Sequence, residues 1–309
     1  METHEPFGAR QERPRHWVLL AGLLTTALTL FAVHWLDANT DDFHIMGWYA
    51  NYVLPVGALI VGLAAGSGYG IASWSSGVKI GRSLLWIIVG LQAAGYFGAQ
   101  YVEFRAMGLE FQDGTPVGFF EYLDIAARSF AWQGKNGTEG EPLGIWGYAF
   151  RLLELAGFVG GGLVVPAALR SQPYCEGCQV YLRGKEIVLL PAGVLPRKVK
   201  KKDVEGQAAY EREREEAAKQ GQALLDEMAE HATSGRAAEL TRLVETHAQQ
   251  KKEYGKLERR IGLRLYHCRG CRTGILDAQL SEGHGNQIRV TPISRWNVAP
   301  GFVTDYLRA

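Results

Sequence analysis

The chain has 309 residues, a formal net charge of +1 and an apolar fraction of 47%. Neither a strongly basic nor a strongly acidic balance is present, which removes composition as an argument for a nucleic-acid partner, and the averages hide a division. Residues 1–169 carry 9 Lys/Arg and 14 Asp/Glu with their apolar residues in blocks, whereas residues 170–309 carry 24 and 18 with theirs dispersed.

Arg10, Arg13 and Arg15 lie in a short tail, residues 1–16, before the first block, Trp17 to Leu36. Val53 to Ser73, Leu84 to Val102 and Ile145 to Leu169 follow. A helix rises about 1.5 Å per residue, so about 20 apolar residues cross the roughly 30 Å hydrocarbon core, and each block is long enough. Residues 17–169 therefore read as a four-span membrane domain. A cleaved signal peptide is the rival for the first block, but the block exceeds the usual apolar core of roughly 7–15 residues. The connections order the topology. The first holds Asp37, Asp41 and Asp42 without Lys or Arg, the second holds Lys79 and Arg82, and the long third has Arg105, Arg128 and Lys135. Basic short segments stay in the cytoplasm. Both termini are expected there, in a protein of bacterial inner-membrane type.

Small residues recur at four-residue spacing: Gly62, Gly66 and Gly70; Gly90, Ala94 and Gly98; Gly157 and Gly161. In lipid, helix association depends on close backbone approach, so the stripes predict a compact bundle or a self-associating one. Arg151 and Glu154 can pair on one helix face, as a structural pair at the external boundary or as a polar site of the bundle. Gln92, Gln100 and His34 stand isolated along the sequence and define no conduction path. Residues 117–132 place Phe119, Phe120, Leu123, Ala127 and Phe130 near one face, predicting a short external amphipathic helix.

Beyond the last block, Lys198, Lys200, Lys201 and Lys202 form a juxtamembrane cluster suited to anionic lipid. All four cysteines follow the spans, as Cys175-Glu-Gly-Cys178 and Cys268-Arg-Gly-Cys271. Each Gly suits the tight turn that lets two thiolates face one ion, and two such turns supply the four sulfurs of a structural zinc site. An iron–sulfur centre and a redox pair are rivals, and disulfides would need an oxidising compartment. A four-sulfur shell leaves no position open for water, so such a site is not catalytic. His231, His267 and His284 are not needed as ligands. Short β-prone runs flank the pairs: Gln179 to Leu190 around a turn-like Arg183-Gly184-Lys185, Ile261 to Tyr266, Gly274 to Leu280 and Gln287 to Ile293. Cysteine turns between short strands resemble the zinc-ribbon family. That resemblance implies a structural metal and a role in binding partners, and it covers the two ends of residues 170–309.

Between the pairs, Asp203 to Ala232 and Ala237 to Arg260 predict an inserted helical hairpin, residues 203–260. Its apolar stripes, Leu224, Leu225 and Met228 against Leu240, Leu243, Val244 and His247, are expected to bury each other. The fold class is then mainly α: a four-helix transmembrane bundle, then a small α+β zinc-ribbon-like cytoplasmic domain. No HExxH, Walker-A loop, GxSxG elbow or dinucleotide fingerprint occurs. No base-reading element is evident either, which argues against nucleic acid. The expected role is a membrane-anchored module that binds another protein through its cytoplasmic domain. The alternative is a transporter or intramembrane enzyme with its site in the bundle or external loop.

Overall fold

A computed structural model describes residues 15–40, 45–51, 53–131, 140–197, 199–200, 203–283 and 288–308. The chain divides into two compact units, Met1–Gln172 and Pro173–Ala309.

In the first unit, helices α1 (His16–Asn39), α2 (Val56–Ser76), α3 (Arg82–Met107) and α5 (Gly147–Ser171) are long and apolar enough to cross a membrane, as an integral membrane protein requires. The short α4 (Phe119–Arg128) lies between α3 and α5 in sequence and packs on both. Local chemistry sets the ends. Pro55 precedes α2, and Gly77 closes it at φ 70°, a left-handed conformation that only glycine adopts freely. Gly108 closes α3 in the same way, at φ 56°.

Helix α2 is the centre of the bundle. A Cβ on Gly62 would lie 2.0 Å from the Phe158 carbonyl oxygen, and one on Gly66 2.2 Å from that of Gly162. Gly70 meets Val165, Gly157 meets Pro55 and Ala58, and Gly161 faces the Leu59 carbonyl. On its other side α2 receives α1, where Tyr69 lies on Gly22 and the Thr25 hydroxyl donates to the Ala65 carbonyl at 2.7 Å. The α3 stripe behaves differently. Gly90 and Gly98 have nothing within 4 Å of a Cβ placed on them, and Ala94 is exposed, so the expected close packing is absent among the described residues. The short helix expected at 117–132 forms as α4: Ala127 is buried and Phe119 and Leu123 are half-buried, whereas Phe120 is exposed and Tyr122, outside the expected face, is buried.

The second unit is α+β. A hairpin of β1 (Tyr174–Cys175) and β2 (Val180–Tyr181) precedes a four-stranded antiparallel sheet. Its strands are β3 (Arg183–Pro191), β4 (Arg259–His267), β5 (Gly274–Glu282) and β6 (Arg289–Asn297), in that spatial order. Helices α6 (Val204–Thr233), α7 (Ala237–Ala248) and α8 (Lys251–Tyr254) lie between β3 and β4 in sequence, and α9 (Phe302–Arg308) follows β6. Asp203 caps α6 by accepting from the Gly206 N–H at 2.9 Å.

Two expectations are corrected here. Arg183-Gly184-Lys185 is not a turn but the start of β3, paired with His267, Tyr266 and Leu265. The second inserted helix stops at Ala248, and Arg259 and Arg260 already belong to β4. The stripes of α6 and α7 do not close on each other alone. Leu225, Met228 and Leu240 share one core with Leu190, Leu263, Leu265, Leu276 and Phe302, so the helices cover one face of the sheet. Alternate residues turn to the other face, where strand register sets Glu186, Arg264, Asp277 and Arg295 side by side in alternating charge. Asp277 is fully buried there and pairs with Arg295.

Candidate metal centre

The two cysteine pairs, 89 residues apart in sequence, are carried by the turns of two hairpins. Cys175 ends β1 opposite Val180, so the first pair spans the β1–β2 turn. Cys268 follows β4 and Cys271 precedes β5, whose facing ends are His267 and Gly274. Antiparallel pairing makes each turn, and the third residue of each pair is glycine. At Gly270 the reason is steric, because a Cβ would approach Cys178 Sγ to 2.8 Å. Both turns close in the same way. The residue after the second cysteine, Gln179 in one and Arg272 in the other, has a left-handed backbone with φ 51° and 62°. In the second turn the Cys268 N–H donates to the Thr273 carbonyl at 2.9 Å and the Arg272 N–H to the Cys268 carbonyl at 3.2 Å.

All four sulfurs lie within 4.8 Å of one another. Tetrahedral zinc with bonds of about 2.3 Å sets its sulfurs about 3.8 Å apart. The cluster therefore already has the dimensions of a coordination shell, and the residues fit a metal ion. A separation of 3.4 Å joins Cys175 to Cys271 across the two turns. Cys268 is buried, Cys175 and Cys178 are half-buried and Cys271 is exposed. Leu182 and Tyr266 pack against the cysteines, so the centre has its own small apolar cluster beside the main core.

The thiols differ in acidity. Burial, reinforced by Cys268 and Cys271, pushes Cys178 up to about 12, and burial raises Cys175 as well. Burial also acts upward on Cys271, but hydrogen bonds from the Thr273 hydroxyl and backbone, with the adjoining thiols, outweigh it and bring Cys271 down to about 6. His267, beside the centre, is pushed down by burial and by Arg272 and Lys185.

Searches against protein-family models, curated proteins and solved structures find no match.

The polar residues of the bundle are less isolated than their sequence positions imply. Gln92 is buried and donates from Nε2 to Thr26 Oγ1 at 3.1 Å, and Gln100 is buried about two turns later on the same helix. His34 is exposed. Arg151 and Glu154 form an ion pair at 3.0 Å. Glu154 lies about two turns into α5 and is only 2% exposed, with the Tyr96 hydroxyl in hydrogen-bond reach. Of the lysine cluster, Lys200 is described, while Lys198, Lys201 and Lys202 lie outside the described residues, as does His284.

Sequence reasoning missed three contributors. Tyr96 is one, since nothing in its spacing joins it to Glu154. The Gln179 and Arg272 backbones are another, because neither is a residue that advertises a left-handed turn. Thr273 is the third, with its hydroxyl 3.1 Å from Cys271 Sγ. A hydroxyl two positions after a C-x-x-C pair is the signal that would have found it.

Proposed function

We propose that this protein is a membrane-anchored interaction module whose second unit, on the cytoplasmic side, is held together by one structural zinc ion and binds another protein. The convergence of four cysteine sulfurs within 4.8 Å carries the reading. Cys175, Cys178, Cys268 and Cys271 would complete a closed thiolate shell, which supplies folding energy and offers no open position for catalysis. Two cysteine turns on β-hairpins are the arrangement that a zinc-ribbon-like domain requires. The ion would tie the β1–β2 hairpin to the β4–β5 hairpin across the inserted helices. The charged outer faces of those helices suit a protein partner, and the lysines at 198–202 suit anionic lipid.

Metal analysis of the purified full chain should find about one zinc per chain, lost when Cys175 and Cys268 are both replaced by Ser. A metal-free chain with a folded second unit would overturn the metal assignment. Affinity capture from membranes, with the full chain and with a chain ending at Gln172, tests the interaction role. Identical partners from both would sink it.

A second reading, a transport or enzymatic site in the bundle, is favoured by one observation: buried Glu154 and Tyr96 grouped with the half-buried Arg151. An ionisable pair at membrane depth marks a functional site by default. Reconstituted flux that is unchanged by Arg151→Gln together with Glu154→Gln would dismiss the transport version.

A further inference from the structure

The two cysteine turns repeat one another closely enough for one of their differences to be informative. Each runs Cys-x-Gly-Cys, then a residue with left-handed φ, Gln179 or Arg272, then the first residue of the returning strand or its approach. That last position is Val180 in the first turn and Thr273 in the second. Valine and threonine have the same branched shape and differ only in that threonine carries a hydroxyl. The hydroxyl lies 3.1 Å from Cys271 Sγ and 3.9 Å from Cys175 Sγ, so it sits between one sulfur of each turn. The Thr273 backbone adds a hydrogen bond to Cys271, and its carbonyl accepts from the Cys268 N–H at 2.9 Å. One residue thus touches ligands of both turns.

In a thiol cluster either partner of the O–H and S–H pair can donate. Once a metal is bound, sulfur carries no proton, and the hydroxyl must be the donor. The bond then becomes charge-assisted and stronger. It acts on Cys271, the most exposed of the four sulfurs, which would otherwise be hydrated and free to turn away from the ion.

We propose that Thr273 is a positioning residue of the metal centre: its hydroxyl donates to the Cys271 thiolate, aims that sulfur at the ion and links the two turns, a task for which the first turn, with Val180, has no equivalent. The inference rests on the metal reading above and adds an outer partner to it. Outer partners of this kind fix ligand orientation, and their loss costs metal affinity without removing a ligand.

The test uses the full chain in detergent, loaded with zinc and titrated against a chromogenic chelator. Thr273→Val, which keeps the shape, lowers affinity roughly 10–100-fold, and Thr273→Ser, which keeps only the hydroxyl, retains wild-type affinity. Cobalt substitution adds a readout that packing alone would not move. The sulfur-to-cobalt charge-transfer bands shift in the valine variant and stay in place in the serine variant. Equal affinity of Thr273→Val and wild type would overturn the proposal, as would equal losses in the valine and serine variants, since keeping the hydroxyl would then protect nothing. Should Thr273→Val not accumulate folded, Thr273→Ala against Thr273→Ser makes the same comparison, with matched affinities overturning it. If the wild-type chain itself binds no zinc, the metal reading fails and takes this refinement with it, whereas a zinc-binding chain indifferent to Thr273→Val overturns the refinement alone.

Discussion

Gln179 and Arg272 each hold a left-handed backbone where the cysteine turn meets its returning strand. An L-residue pays about 1–2 kcal/mol for that conformation, and glycine's greater freedom in the unfolded chain offsets about 0.5–1 kcal/mol of the relief. Gln179→Gly and Arg272→Gly should therefore each stabilise the metal-loaded protein by about 0.5–1 kcal/mol. Urea midpoints of the second unit's sheet signal would report the gain, and a lowered midpoint would show that the side chains do more than tolerate the turn. The same centre sets a pH dependence. Metal binds thiolates, so every thiol protonated in the free site loses a proton on loading. Cys175 and Cys178 are both raised, by burial first, and stay protonated between pH 6 and 8. Affinity should then fall at least about a hundredfold for each unit of acidification, a factor of ten from each thiol. Cys271, brought down to about 6, adds its own step only below that pH. Chelator competition from pH 8 to 6 measures the slope, and a flat profile would contradict two protonated thiols. The cysteines were legible because two C-x-x-C pairs announce a shared ligand set whatever separates them. Thr273 was not, since its role depends on a distance across the turn.

Among the elements, the four long helices were legible because bilayer thickness fixes a length that an apolar run must meet. The strands flanking the cysteines were found in part, and β3 was cut short because Arg183-Gly184-Lys185 has turn-like composition. Pairing with β4 overrides that composition, and the polar residues occupy exposed positions at the end of the sheet. The second inserted helix was overextended because Gln249 to Arg260 contains good helix formers. Arg259 and Arg260 are claimed instead by the ladder to Glu282 and Ser281. Leu225 lies under the sheet with no exposure, so Leu225→Ala should cost about 2–5 kcal/mol by chemical denaturation. A loss below that would mean α6 is not part of the sheet's core. The glycine stripes separate by the same reasoning about packing. Val at Gly161 would push a side chain into the Leu59 carbonyl, only 2.2 Å from a Cβ, and should prevent the α2–α5 contact. Ala at Gly90 meets open space in a helix interior, where it should be neutral or gain up to about 1 kcal/mol. Thermal midpoints in detergent compare the pair, and equal sensitivity would mean that α3 packs against something besides this chain's described residues.

For the molecule as a whole, the metal argument and the topology argument support each other and can be separated. An even number of spans would return the chain to the side where it began, so four spans would put the second unit on the same side as the tail before α1. Lys79 lies between α2 and α3 and Arg82 opens α3, whereas the segment between α1 and α2 holds Asp41 and Asp42 and no Lys or Arg. The preference of basic short segments for the cytoplasm would then put the four cysteines in a reducing compartment, where thiolates remain available to a metal and disulfides do not persist. Loss of α1 as a cleaved leader would leave three spans and the same final side, so the position of the cysteines does not depend on that choice. Reporter fusions that are active on only one side of the membrane test this directly. A reporter placed after Ala309 should give the cytoplasmic signal and one inserted at Asp113, between α3 and α4, the opposite one. Both on one side would remove a span from the count. A reversed pair would place Cys175, Cys178, Cys268 and Cys271 in an oxidising space, where a cross-turn disulfide between Cys175 and Cys271, 3.4 Å apart, becomes the better account of their approach. The expected pair leaves a bound metal as the account of why four sulfurs from two distant hairpins lie within 4.8 Å of one another.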